Sequence, residues 1–100
     1  MDKIFEQLQA LVDRYDEIQE LMSDPEVIND TKRYMELTKE EASLREVVTK
    51  FRRFKEADAG IKDNEELLSE SDDPELTELA KMELSDLKDE KAALEDEIKI

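Results

Sequence analysis

The stretch TKRYMELTKEEASLREVVTKFRRFKEADAGIKDNEELLSE, residues 31–70, decides the fold. Tyr34, Leu37, Leu44, Val47, Val48, Phe51, Phe54, Ile61, Leu67 and Leu68 recur with a repeat near seven. That spacing marks an apolar seam along one side of a long helix. Glu41 and Asp58 interrupt the seam. Thr38-Lys39-Glu40-Glu41 has the form of a capping box, but the seam crosses it without a change of phase, so the predicted helix runs on. Gly60 is expected to be a weak point or bend, costing about 1 kcal/mol against alanine. At 1.5 Å per residue a helix of roughly 40 residues would be about 60 Å long, so an elongated shape is expected.

On its N-terminal side, Ile4, Leu8, Leu11, Val12, Tyr15, Ile18 and Leu21 or Met22 form a second stripe, predicting a helix over about 2–22. Asp2 suits the positive end of its dipole. Ser23-Asp24-Pro25-Glu26 ends this helix and starts another: Pro25 fits the first helical position and Asp24 the cap before it. A short helix over about 25–29 follows, with Val27 and Ile28 as its apolar face, and Asn29-Asp30-Thr31 is a further capping signal.

On the C-terminal side, Ser69-Glu70-Ser71-Asp72-Asp73-Pro74-Glu75 repeats the Asp-Pro-Glu signal. The last helix is predicted over about 74–99, with Leu76, Leu79 or Ala80, Leu84, Leu87, Leu94 and Ile98 as its stripe. A short connection favours antiparallel neighbours. The expected fold is all-α: an elongated helical hairpin of coiled-coil type, with the N-terminal helix packed on it. Leu44 is expected in the hairpin seam. The 100 residues are read as a single helical domain, truncated from a longer chain, because Ile98 and Ile100 end it without a C-cap.

Composition supports this reading. Ala, Leu, Glu, Lys, Gln, Arg and Met supply 59 of the 100 residues, and charged residues make up 45%. One glycine and two prolines are too few turn residues for an all-β domain. Disorder is the competing reading at net charge −15, but periodic apolar spacing is not a property of disordered tracts. No apolar run exceeds three residues, so no membrane span is predicted, and Met1-Asp2-Lys3-Ile4-Phe5 lacks a signal-peptide core. The cytoplasm is the expected location. Residues 1–55 carry 10 basic and 13 acidic side chains, whereas residues 56–100 carry 5 and 17. A field this negative excludes general nucleic-acid binding. At low pH, protonating carboxylates should relieve self-repulsion, so helicity should hold or rise, with no drop between neutral and mildly acidic pH.

Enzyme chemistry has little to stand on. There is no cysteine and no histidine, which removes thiol chemistry, the commonest general base and the commonest zinc ligand. A single glycine excludes the glycine-dependent phosphate loops and nucleophile elbows. No catalytic residue, metal ligand or cofactor site is expected. Asp72-Asp73-Glu75 lacks the central glycine of a calcium loop and reads as a solvated helix cap. Glu40-Glu41 and Glu65-Glu66 read as ordinary exposed helix positions, and Tyr15 and Tyr34 as packed rings with wet hydroxyls. Lys50-Phe51-Arg52-Arg53-Phe54-Lys55 is the one basic cluster. Lys50, Arg52, Arg53 and Lys55 form a candidate partner-binding patch; the competing assignment makes Phe51 and Phe54 seam residues with solvated flanks.

Leu21-Met22-Ser23-Asp24-Pro25-Glu26-Val27-Ile28-Asn29-Asp30-Thr31-Lys32-Arg33-Tyr34 and its continuation Leu37-Thr38-Lys39-Glu40-Glu41-Ala42-Ser43-Leu44 resemble the start of bacterial class-I peptide chain release factors. Leu8 to Tyr15 and the Asp72-Asp73-Pro74-Glu75 turn fit the same resemblance, which covers essentially the whole chain. It is strongest for the type that reads UAA and UAG. It implies the N-terminal helical domain of a translation termination factor. Stop-codon reading and the Gly-Gly-Gln loop that triggers peptidyl-tRNA hydrolysis belong to other domains; Gly60 stands alone here, so no functional residue carries over. The implied partners are the ribosome, at the stalk base of the large subunit, and release factor 3. The mRNA stop codon would be met only through domains absent from this sequence. No membrane partner is expected, and a monomer is. The alternative is a free-standing coiled-coil adaptor or dimerisation module.

Overall fold

A computed structural model describes residues 2–98, the side chain of Asp2 excepted. The expected last helical residue, Lys99, the uncapped Ile100 and the Asp2 side chain lie outside that description. The described chain is helical, with no strand among the described residues. Four helices follow in order: α1 (Asp2–Met22), α2 (Pro25–Asn29), α3 (Thr31–Glu70) and α4 (Pro74–Ile98). No described helix is long and apolar enough to cross a membrane. The chain divides into two compact units, Met1–Thr49 and Lys50–Ile100. The helix α3 gives residues 31–49 to the first and 50–70 to the second.

The helix starts follow from local chemistry. The Asp24 carboxylate accepts from the Glu26 backbone N–H at 3.0 Å, with Pro25 in the first turn. Asp73 repeats the arrangement, accepting from the Glu75 N–H at 3.0 Å. Asp30 caps α3 by accepting from the Arg33 N–H at 3.2 Å. Each cap satisfies a donor that the first helical turn leaves unpaired. The helix α3 continues through Thr38, whose hydroxyl donates back to the Tyr34 carbonyl at 2.9 Å rather than capping a new helix.

In the first unit α1 packs antiparallel to the start of α3, with Arg14 opposite Glu40 and Ile18 packed with Leu37. Ile18, Val27 and Leu37 are buried together, and Leu21, Met22, Tyr34 and Leu44 pack around them. Leu44 therefore belongs to this cluster and not to the α3–α4 hairpin seam, which corrects the expectation.

In the second unit α3 and α4 form an antiparallel hairpin joined by residues 71–73. Lys50 meets Glu97, Arg53 meets Glu90 and Gly60 faces Leu87, so one helix ascends as the other descends. Phe51, Phe54, Ala57 and Ile61 are buried from α3 and Ala80 from α4. Of the two candidates for the α4 stripe, Ala80 is the buried one and Leu79 stands exposed. Leu76, expected in the stripe, is also exposed. Near a helix start the phase of a 3.6-residue repeat is fixed by few neighbours, and the smaller Ala80 suits a close helix pair.

Gly60 is an inner position of that pair. The helix runs on through it, and its carbonyl accepts from the Asn64 side-chain amide at 2.8 Å. A Cβ at Gly60 would stand 2.8 Å from Leu87 Cδ1. The glycine therefore serves close approach between helices. Gly60→Ala should be nearly neutral, because the helix-propensity gain of about 1 kcal/mol offsets a rotamer adjustment at Leu87 of about 0.5–1.5 kcal/mol. Gly60→Leu should lose about 1–3 kcal/mol by overpacking. Urea titrations of the two variants would separate these outcomes.

Candidate functional site

The four cations of the patch sit at the start of the second unit, on the turns that also carry the buried Phe51 and Phe54. Helical spacing puts the two rings on one side and leaves the charges at the flanks. The rings are stacked, with centroids 6.4 Å apart and planes 13° from parallel. The Lys55 ammonium stands over the Phe51 ring at 4.9 Å, and Lys91 of α4 over Phe54 at 5.7 Å. Lys50 approaches Glu97 at 3.8 Å. Arg53 grips Glu90 with two guanidinium nitrogens, one of them at 2.8 Å, and reaches Glu56 at 3.2 Å. The Glu90 and Glu56 carboxylates push the Arg53 guanidinium above its ordinary pKa. The aromatics belong to the seam, and Lys50 and Arg53 bridge to the facing helix. Arg52 and Lys55 are exposed.

A second polar arrangement, in the first unit, was not anticipated from sequence. Glu41 is buried, and its carboxylate accepts from the Tyr15 hydroxyl at 2.7 Å and from Arg45 Nε at 2.9 Å. One turn position earlier, Arg14 binds Glu40 through Nε at 2.6 Å and Nη2 at 2.7 Å, and also pairs with Glu17. Glu40 and Glu41 are therefore not ordinary exposed positions, and the Tyr15 hydroxyl is engaged by protein rather than by water alone. Glu65 and Glu66 are exposed as expected. The interruption at Asp58 has a parallel explanation in the second unit: Lys91 donates to it at 2.7 Å. Among the described residues no buried side-chain polar atom lacks a partner.

These contacts set the ionisation of the carboxylates. Arg45 and then Tyr15 hold the Glu41 pKa down to about 2. Arg14 holds Glu40 below its ordinary value, and Lys91 does the same for Asp58. Hydrogen bonding to Glu41 raises the Tyr15 phenol. A carboxylate whose pKa falls on folding adds stability that is complete above its unfolded value of about 4.3 and vanishes as pH drops through the folded value. Stability should hold or rise from pH 7 to about 5, then fall from about pH 4 towards 2. Glu41→Gln should flatten that acid limb, and urea midpoints of both chains across this range would test it.

An open groove of about 400 Å³ in the first unit is lined by Arg14, Glu17, Arg33, Glu36 and Glu40 around Leu21 and Leu37. Its charges are mixed in sign, and Arg14 already pairs with both Glu17 and Glu40. No group of three or more carboxylates among the described residues is arranged to hold a metal ion. The fold presents charged helix faces.

Comparison with known proteins identifies the family. A family model for the PCRF domain matches residues 11–100. The chain is 61% identical over 100 residues to peptide chain release factor 1 of Lactobacillus delbrueckii subsp. bulgaricus. It is 61% identical over 97 residues to the Enterococcus faecalis protein of the same name, and 55% identical over 100 residues to that of Ligilactobacillus salivarius. The chain thus belongs to the peptide chain release factor family, through its PCRF domain. It spans 28% of the length of the first and last of these relatives, and 27% of the second. No solved structure matches it significantly.

Proposed function

We propose that these 100 residues act as a single accessory domain of a translation termination factor, one that reads UAA and UAG and triggers peptidyl-tRNA hydrolysis through other domains. The observation that carries the reading is identity of 55–61%, over the whole of this chain, to proteins named peptide chain release factor 1. The domain performs no hydrolysis itself. It works in the cytoplasm, as a monomer and without a cofactor, and docks on the ribosome at the stalk base of the large subunit or on release factor 3.

The Lys50, Arg52, Arg53 and Lys55 patch supplies the docking charge. Its local sign stands against a chain of net charge −15, so a partner that senses the patch must approach it closely. Arg52, Arg53 and Lys55 are its exposed members. Arg53 would exchange part of its pairing with Glu90 for the partner.

The test is a pull-down of the chain against purified large subunits, with and without stalk-base proteins, at two salt concentrations. Capture that needs the stalk base, weakens with salt and drops with Arg52→Gln/Lys55→Gln supports the reading. Capture that ignores both the stalk base and the substitutions overturns the site. A parallel titration with release factor 3 separates the two partners.

A further inference from the structure

Three large apolar side chains stand in solvent on the first half of α4. Leu76, Leu79 and Met82 are 41%, 65% and 62% exposed. Steps of three residues confine them to an arc of about 120°, at about 100° per residue. Single exposed apolar residues are ordinary on a protein surface, but three in one stripe mark an interaction face. Glu78, Glu83 and Asp86 are exposed and interleave with the stripe. The nearest lysines of α4, Lys81 and Lys88, fall outside that arc.

This acidic rim selects the occupant. A second copy of the chain would bring like charges together, and an anionic lipid surface or a nucleic acid would be repelled in the same way. A helix with apolar anchors at three- and four-residue spacing and cationic flanks meets both the stripe and its rim. We propose that the Leu76–Leu79–Met82 face of α4 docks a basic amphipathic helix of a protein partner. The face carries the opposite charge to the Lys50–Lys55 patch, and the proposal goes beyond the release-factor reading without depending on it.

The probe is a synthetic helical peptide of about 18 residues, with leucines at i, i+3, i+4 and i+7 and lysines elsewhere. A control peptide replaces the leucines with serine. The 100-residue chain should bind the leucine peptide, with amide shifts centred on residues 75–89. Affinity should fall several-fold between about 0.05 and 0.3 M salt. Leu79→Ser/Met82→Ser should weaken it at least about tenfold. Both substituted side chains are exposed, so the circular dichroism of the variant should match that of the parent. Equal binding by parent and variant overturns the proposal. So does equal binding of the two peptides, which would reduce the face to its charge. Sedimentation showing a dimer that the double substitution abolishes would assign the face to a second copy and overturn it as well.

Discussion

Phe51→Ala is expected to cost about 3–5 kcal/mol of folding stability, the range for deleting a buried aromatic ring. The Phe51 side chain is 1% exposed and stacks on Phe54. Truncation removes the ring's burial, its stacking and the surface on which the Lys55 ammonium rests. A cavity remains, because α3 is held at this level by the Lys50–Glu97 and Arg53–Glu90 bridges to α4 and relaxes only partly. Domains of this size have total stabilities of about 5–15 kcal/mol, so the loss is a large share of the whole. Phe51→Leu keeps most of the apolar volume and should cost less than half as much. Urea denaturation followed by circular dichroism reads both values. Amide exchange should accelerate across Pro74–Ile98, the helix that packs on this ring level. An alanine variant that melts like the parent would remove Phe51 from the core.

The seam role of Phe51 was legible because it depends only on spacing along one helix. The same holds for Asp24-Pro25 and Asp73-Pro74, where cap and first turn are adjacent in sequence. All-α architecture followed from those local signals. What stayed hidden needed the register between helices. Glu41 and Asp58 were visible as interruptions of the stripe, but their partners Tyr15 and Lys91 lie 26 and 33 residues away. A polar residue at a seam position is a signal that an opposite helix supplies a hydrogen-bonding side chain, and only the fold says which one. Ala57 and Ala80 were missed or left open because a small residue weighs little in an apolar pattern, although close helix pairs prefer it.

The candidate site divides along the same line. The residue types of Lys50, Arg52, Arg53 and Lys55 and their aromatic neighbours were readable in six consecutive positions. Their partial neutralisation by Glu90 and Glu97 was not, since those carboxylates arrive from α4 at separations of 37 and 47 residues. The sequence offers a weak cue in hindsight: Glu90 and Glu97 are one heptad apart, as expected of flanking positions along a two-helix seam. For the patch this means that charge count overstates the field it presents. Part of the cationic field is spent holding the hairpin together.

Ile18→Asp is expected to be the most damaging single substitution in the first unit. Ile18 is fully buried, with Val27 and Leu37 beside it and Leu21, Met22, Tyr34 and Leu44 around them. All seven are apolar or aromatic, and the Tyr34 hydroxyl is the one side-chain polar group among them. A carboxylate there loses its water and gains no dedicated partner, so it neutralises by taking a proton instead of remaining charged. Together with the lost apolar burial, the penalty at pH 7 should reach about 4–5 kcal/mol or more. Ile18→Val, which removes one methylene, should cost about 0.5–1.5 kcal/mol. The pH dependence separates this mechanism from simple loss of volume. The raised folded-state pKa of the new aspartate means that its penalty shrinks as pH falls from 7 towards 5, while Glu40, Glu41 and Asp58, each held below its ordinary value, stay ionised. The variant should therefore regain helicity between pH 7 and 5, beyond any change in the parent, and both should lose it below about pH 4. Ile18→Asn, of similar size but without a titrating group, should show no such recovery. If Ile18→Asp and Ile18→Asn follow the same pH curve, the damage comes from volume and polarity, and the buried charge plays no part in it.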